Sequence, residues 1–292
     1  MTVEELLAGV VIPIDKPRQW TSFQTVNKVK SAIRNHYGLK KFKIGHAGTL
    51  DPLATGLLLV CVGRATKEIA QLQAVEKVYT GTMVLGATTP CYDLERPIDH
   101  YYPYSHITPA LLEEVKQQFI GDIQQVPPIF SAVKIAGQRA YEYARADDPS
   151  AIPEAKTVHV ERFEITAFRP GLSDPSDLSN PNPQLSTEGR RPSVEPTLNS
   201  QPKVGDRQWS QLSTPNAPHC YNNPVEHIPD HLPQLDFHIR CGKGTYIRSI
   251  ARDMGVALHS GAFLSTLRRE SIGIYTVQQA LELEQVDNFL SR

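Results

Sequence analysis

Apolar residues recur along this chain with two periods. Val10 to Ile14, Leu57 to Val62 and Val78 to Leu85 are short apolar runs of strand composition. Val158 and Val160, then Phe163, Ile165 and Ala167, then Leu235, Phe237, Ile239 and Cys241 alternate with polar positions, which predicts half-buried strands. The other period is helical. Thr21 to Gln24 matches a capping box, and Val26, Val29 and Ile33 extend it as one buried stripe. Thr108 followed by Pro109 predicts an N-cap and first helical position, with Leu112, Val115 and Phe119 turned inward. Ile247, Ile250, Met254 and Leu258 share one side of a helix from about Tyr246 to His259, and one more amphipathic helix is expected before Arg292. Strands come in groups rather than in strict alternation with helices, so an α+β fold is predicted over a doubly wound parallel sheet.

Residues 170–233 break both periods. They hold twelve of the 23 prolines and only two aromatics, Trp209 and Tyr221. Such a segment cannot bury enough apolar surface to offset its ordering entropy. It is expected to be a disordered insertion without a core, interrupting one domain built from residues 1–169 and 234–292.

With 292 residues and 40% hydrophobic content, the chain can bury a sizeable core in one or two domains. The start is acidic, and the longest apolar runs fall far short of the ~18 residues of a membrane helix. A cytoplasmic protein without membrane contact is expected. Cys61, Cys91, Cys220 and Cys241 lie far apart with no CxxC pair, which argues for reduced, mostly buried thiols and against a zinc site or disulfide framework. Net charge is −1, but it is unevenly spread. Eight Lys or Arg and no acidic residue lie between Lys16 and Leu50 (Lys16, Arg18, Lys28, Lys30, Arg34, Lys40, Lys41, Lys43). A second basic group near the C-terminus holds Arg240, Lys243, Arg248, Arg252, Arg268 and Arg269. Both read either as solvated charges or as a phosphate-binding face.

The candidate chemistry sits in Lys43 to Gly63, "KIGHAGTLDPLATGLLLVCVG". Asp51 with Pro52 after it reads as an N-cap pairing worth ~1 kcal/mol. Gly56 and the strand-like run behind it leave room for one helical turn at most, so the cap is an incomplete account. Gly45, Gly48 and Gly56 suit tight turns and close backbone approach, in an arrangement that would aim Asp51 and His46 outward from a sheet end. A functional carboxylate and a structural turn aspartate both remain open. Tyr79 alone reads as a core residue of its strand, and His46 alone as a surface histidine. Arg248, in a first helical turn, opposes the helix dipole and is expected to serve a specific anion.

"GHAGTLDPLATGLL" resembles the signature of the TruB family of tRNA pseudouridine synthases. "KVYTG" around Tyr79, "PPIFSAVKIAGQRAYEYAR", "CGKGTYIRSIARDMG" and "LSTLRR" agree with it in order, over roughly residues 8–169 and 234–290. The resemblance implies a pseudouridine synthase fold, a mixed and mostly antiparallel sheet flanked by helices. It implies an isomerase that converts uridine 55 in the tRNA T loop without metal or cofactor, as a monomer and without guide RNA. It makes Asp51 the catalytic aspartate, Arg248 its partner and Tyr79 the ring that stacks on the target base. Tyr246 becomes a second aromatic of the site, Leu267 an apolar wall, His46 the residue entering the opened T loop, and Asp93 a further carboxylate. Breaking the C1′–N1 bond and rejoining through C5 suits an ionised carboxylate that attacks the sugar or removes a proton from it. A Tyr79 hydroxyl with a depressed pKa could receive the C5 proton.

Three features depart from the family pattern: Thr89-Pro90-Cys91 ahead of Asp93, the 170–233 segment, and an end at Arg292 where many bacterial members continue into a PUA domain. A guide-dependent, dyskerin-type synthase shares "G-H-x-G-T-L-D-P". A nucleoside hydrolase or glycosylase would use Asp51 with Asp93 as its second carboxylate. A non-catalytic tRNA-folding module is the third alternative.

Overall fold

Strand pairing organises the molecule. The computed structural model describes residues 1–131, 133–135, 137–145, 153–172 and 227–291. In chain order the strands are β1 (Val10–Lys16), β2 (Ile44–His46), β3 (Thr55–Val62), β4 (Lys77–Leu85), β5 (Ala87–Thr88), β6 (His100–Tyr101) and β7 (Gly121–Gln125). They continue as β8 (Lys134–Ile135), β9 (Gln138–Arg139), β10 (Lys156–Arg169), β11 (Gln234–Cys241), β12 (Ala262–Ile272) and β13 (Tyr275–Thr276). The helices are α1 (Val3–Ala8), α2 (Ser22–Tyr37), α3 (Ile69–Ala74), α4 (Pro109–Lys116), α5 (Ala140–Arg145), α6 (Ile247–Ala257) and α7 (Val286–Leu290).

Nine strands form one sheet in the order β1-β3-β12-β4-β11-β10-β7, with β2 beside β3 and β13 beside β12. Every pairing in it is antiparallel except β3 with β12, where Arg268 faces Thr55 and Arg269 faces Gly56. The expected α+β class and mixed, mostly antiparallel sheet are therefore correct. The two alternating series of β10 belong to one strand. Register shifts between Val160 and Arg162 and between Ile165 and Ala167 change the phase, so Val158 and Val160 share a buried face with Phe163.

Capping follows the sequence. The Thr21 hydroxyl accepts from Gln24 N at 3.1 Å, the Gln24 side chain accepts from Thr21 N at 2.8 Å, and Gly38 ends α2 in the left-handed region. Thr108 caps α4 with Pro109 in its first turn, while Phe119 falls in a 3₁₀ turn rather than in the helix. The C-terminal helix is a single short one, α7.

One core lies between the central strands and helices α4 and α6, holding Phe163, Phe237, Ile239, Ile250, Met254 and Phe263. A second lies where α1, α2 and α7 cover β1 and β3, with Ile12, Ile14, Val29, Ile33, Leu58 and Val60. The opposite face of β4, β11 and β12 is an open polar groove lined by Thr80, Thr82, Asp236, His238 and Arg268. Cys61, Cys91 and Cys241 are buried free thiols; Cys220 lies outside the described residues.

Residues 173–226, most of the proline-rich segment, also lie outside the described residues. Its C-terminal end departs from the expectation of a coreless insertion. Leu232 is buried, Ile228 packs against the main core, and the Pro233 carbonyl accepts from Leu85 N at 2.9 Å. The core therefore begins again several residues before Gln234, because this stretch supplies apolar side chains where β4 ends.

Candidate active site

Asp51 occupies one turn between β2 and β3, closed by Ala54 N donating to the Asp51 carbonyl at 3.2 Å. The turn is gripped from two sides by buried cations. Lys16, in phase with Ile12 and Ile14 on the covered face of β1, donates from Nζ to the carbonyls of Pro17 (2.9 Å), Trp20 (2.6 Å) and Pro52 (3.2 Å). Arg269 donates from Nε to the Leu57 carbonyl at 2.7 Å, from Nη2 to Gly48 at 3.0 Å and from Nη1 to Thr49 at 3.5 Å. Ser22, at the start of α2, holds Leu50 twice, accepting from its N–H at 2.9 Å and donating to its carbonyl at 3.1 Å. Gly48 and Gly56 have φ of 95° and 99°, a region open to glycine and costly for other residues. A free loop has been made into a fixed platform. Burial draws the Lys16 pKa down to about 8, against the upward pull of Asp51.

Arg248, in the first turn of α6, closes the site. Nε donates to Asp51 Oδ2 at 2.9 Å and Nη2 to Oδ1 at 3.0 Å, a two-pronged contact across 197 residues of sequence. Nη1 also donates to the Cys91 carbonyl (3.1 Å) and Nη2 to that of Phe130 (2.8 Å). The guanidinium is buried, whereas the Asp51 side chain keeps 35% exposure, so the carboxylate faces outward while its partner does not. Burial acts to lower the Arg248 pKa, but Asp51 and Asp93 outweigh it and hold the group charged. Gln125, at the end of β7, fixes the helix start by accepting from Tyr246 N at 2.7 Å and donating to its carbonyl at 3.1 Å.

Asp93 approaches the same edge of Arg248, with Oδ2 at 3.7 Å from Nε and Oδ1 accepting from Glu95 N at 3.0 Å. The unusual Thr89-Pro90-Cys91 stretch supports it, with the Thr89 hydroxyl and the Cys91 thiol both donating to the Asp93 carbonyl, at 2.7 and 3.5 Å. Burial raises the pKa of Asp93 despite Arg248, and burial followed by the Asp93 charge raises that of Glu95 to about 7. Two carboxylates thus share one guanidinium, and the Glu95 charge acts on it from farther away.

Asp51, Asp93, Arg248 and Leu267 line one small pocket together with Leu53, Ala54, Leu94 and Leu264. Leu267 also borders the open groove, joining pocket and groove. The other expected residues stand nearby without lining the pocket. Tyr79, on β4, is buried in the main core opposite Arg269 on β12. Burial raises its hydroxyl pKa although Arg269 draws it down, which corrects the expectation of a depressed tyrosine ready to take a proton. Tyr246 is half-buried, and burial raises its hydroxyl pKa too. His46 ends β2 with a buried Nδ1 that has no hydrogen bond of ordinary geometry, and burial lowers its pKa.

Sequence reasoning missed Glu95 and misplaced Lys16 and Arg269, which are buried and not part of a phosphate-binding surface. For Lys16, its phase with Ile12 and Ile14 was the available signal. Among the described residues no cluster of His, Cys, Asp or Glu has the arrangement of a metal site, and no helix is long and apolar enough to cross a membrane.

Comparison with solved structures and with family models together places this sheet in the pseudouridine synthase fold class. A chain from the "Crystal Structure of a Cbf5-Nop10-Gar1 Complex" superposes with a TM-score of 0.57 at 23% identity, over 99% of this chain and 57% of that one. Residues 34–175 match the model for the TruB family pseudouridylate synthase N-terminal domain. The tRNA pseudouridine synthase B of Flavobacterium johnsoniae is 43% identical over 97% of this chain and 96% of its own length. That of Phocaeicola vulgatus is 37% identical over 97% and 94%. The chain belongs to the TruB family of pseudouridylate synthases.

Proposed function

We propose that this protein converts uridine 55 in the T loop of tRNA to pseudouridine, acting alone on the RNA in the cytoplasm, as a monomer and without guide RNA, metal or cofactor. The observation that carries the reading is the Asp51–Arg248 pair, a fixed and partly exposed carboxylate held by a buried guanidinium. The names of the curated relatives support the substrate. Asp51 acts on the ribose, either by attack at C1′ or by removing a sugar proton. The C1′–N1 bond breaks, the uracil turns and C5 bonds to C1′; the proton leaving C5 is balanced by one gained at N1. Extruding the base costs a few kcal/mol, and an aromatic contact returns ~1–3 kcal/mol, the role assigned to Tyr79 with Tyr246 nearby. Leu267 walls the pocket, His46 enters the space left in the T loop, and Asp93 adds a second negative charge beside Arg248. Residues 1–169 and 234–292 make up the catalytic unit, completed by the core residues Ile228 and Leu232 ahead of Gln234.

The test is incubation of purified protein with an unmodified tRNA transcript, followed by mapping of pseudouridine. A single product at position 55 with the wild type, unaffected by a chelator, and none with Asp51→Asn at tRNA affinity within a few-fold, is expected. Dependence on an added guide RNA, release of free uracil, or full turnover by Asp51→Asn would overturn the proposal.

A further inference from the structure

Phe23 is 70% exposed in the first turn of α2, although its neighbour Ser22 is buried and bonded to Leu50, the residue before Asp51. A lone exposed aromatic is ordinary, but this one stands beside the Asp51 turn and in line with two cations. Phe23, Asn27, Lys30 and Arg34 stand at i, i+4, i+7 and i+11, a single stripe along the helix. The stripe lies apart from the buried set Thr25, Val26, Val29, Ala32 and Ile33. Phe23 and Arg34 are exposed, and Asn27 and Lys30 half-buried. No acidic residue occurs between Lys16 and Leu50, and neither Lys30 nor Arg34 has an ion-pair partner among the described residues. The stripe therefore offers one flat ring beside the Asp51 turn and two uncompensated cations leading away from it.

From this geometry we infer that the Phe23–Asn27–Lys30–Arg34 stripe binds the single-stranded RNA that flanks the target uridine. Phe23 stacks on an unpaired base, and Lys30 and Arg34 meet successive stretches of phosphate backbone. Eleven residues of helix rise about 16 Å, the length of four or five stacked nucleotides at about 3.4 Å each. Every base has a π face, so Phe23 adds affinity and register rather than sequence choice. A second copy of this chain fits less well, because nothing on the stripe answers its own positive charge. The inference rests on tRNA being the substrate, but Phe23 lies outside the chemical step.

The test compares wild type, Phe23→Ala, Phe23→Trp and Lys30→Ala/Arg34→Ala on one unmodified tRNA transcript, by binding titration over a range of salt and by single-turnover kinetics at saturating enzyme. Phe23→Ala is expected to weaken binding by about 5- to 100-fold while leaving the saturated rate within about twofold. Phe23→Trp should bind within about twofold of wild type or tighter. The double variant should flatten the log-log salt dependence by about 0.7 for each phosphate that it no longer neutralises. Unchanged affinity in Phe23→Ala, or an effect of that variant on self-association with tRNA affinity intact, would overturn the inference. Failure of the functional reading looks different, since wild type would then form no pseudouridine whatever Phe23 does.

Discussion

Gly56 and Arg269 meet backbone to backbone where β3 and β12 run parallel, and a Cβ on Gly56 would lie 2.3 Å from the Arg269 carbonyl oxygen. The φ of 99° compounds the clash. Gly56→Ala should therefore cost on the order of 3 kcal/mol, read as a fall in the denaturant midpoint with unchanged slope. A shift equivalent to less than about 1 kcal/mol would mean that the parallel step yields easily.

The Arg269 side chain reaches the Gly48 and Thr49 carbonyls ahead of Asp51 and the Leu57 carbonyl on β3 after it. A lysine keeps the charge but not the fork. Arg269→Lys is expected to fold and to bind tRNA within a few-fold, with a turnover number about 10- to 100-fold lower as the Asp51 turn loosens. Unaltered turnover would show that Lys16 and Ser22 hold the turn without it.

Arg248→Ala leaves Asp51 and buried Asp93 without their shared counter-charge. Breaking such a pair costs about 3–5 kcal/mol when the remaining charge is buried. Lower thermal stability is expected, with turnover falling far more than tRNA affinity. Equal losses in both would place Arg248 in RNA binding instead.

Glu95 gives the site a pH signature. Burial, then Asp93, raises its pKa from 4.5 to about 7, so between those values the folded chain keeps a proton that the unfolded chain has released. The stabilisation is full below pH 4.5 and is lost as pH rises toward 7. Glu95→Gln, which imitates the protonated form, should match wild type in acid and be more stable at pH 8. Melting temperatures of the two proteins should diverge between those pH values and stay apart above them. A constant gap would assign the effect to packing.

The parts of the fold written as simple periods were legible, and the parts written in charge were not. Leu235, Phe237, Ile239 and Cys241 alternate without fault and form one buried face of β11. In β12, "AFLSTLRRESI" carries two arginines and a glutamate through a central strand, with register shifts after Leu264 and Arg269. No strand period survives that combination. It is stable because Asp15 pairs with Arg268 and backbone carbonyls accept from Arg269, partners that only the folded chain supplies. Asp51 stood out because glycines flank it. The carbonyls that pin its turn are invisible in sequence, since a backbone acceptor has no letter of its own.

The pairing of β3 with β12 and the grip of Arg248 on Asp51 join stretches 197 or more residues apart. A ribosome makes the Asp51 turn long before either arginine. During that interval the turn has Lys16 and Ser22 to hold it but neither guanidinium, so an unfinished chain carries the aspartate without the geometry around it. Completion of β12 is thus the event in biosynthesis that turns a nascent polypeptide into one able to present this carboxylate to RNA. A message broken upstream of Arg248 yields a product without that capacity, however well its first strands have paired.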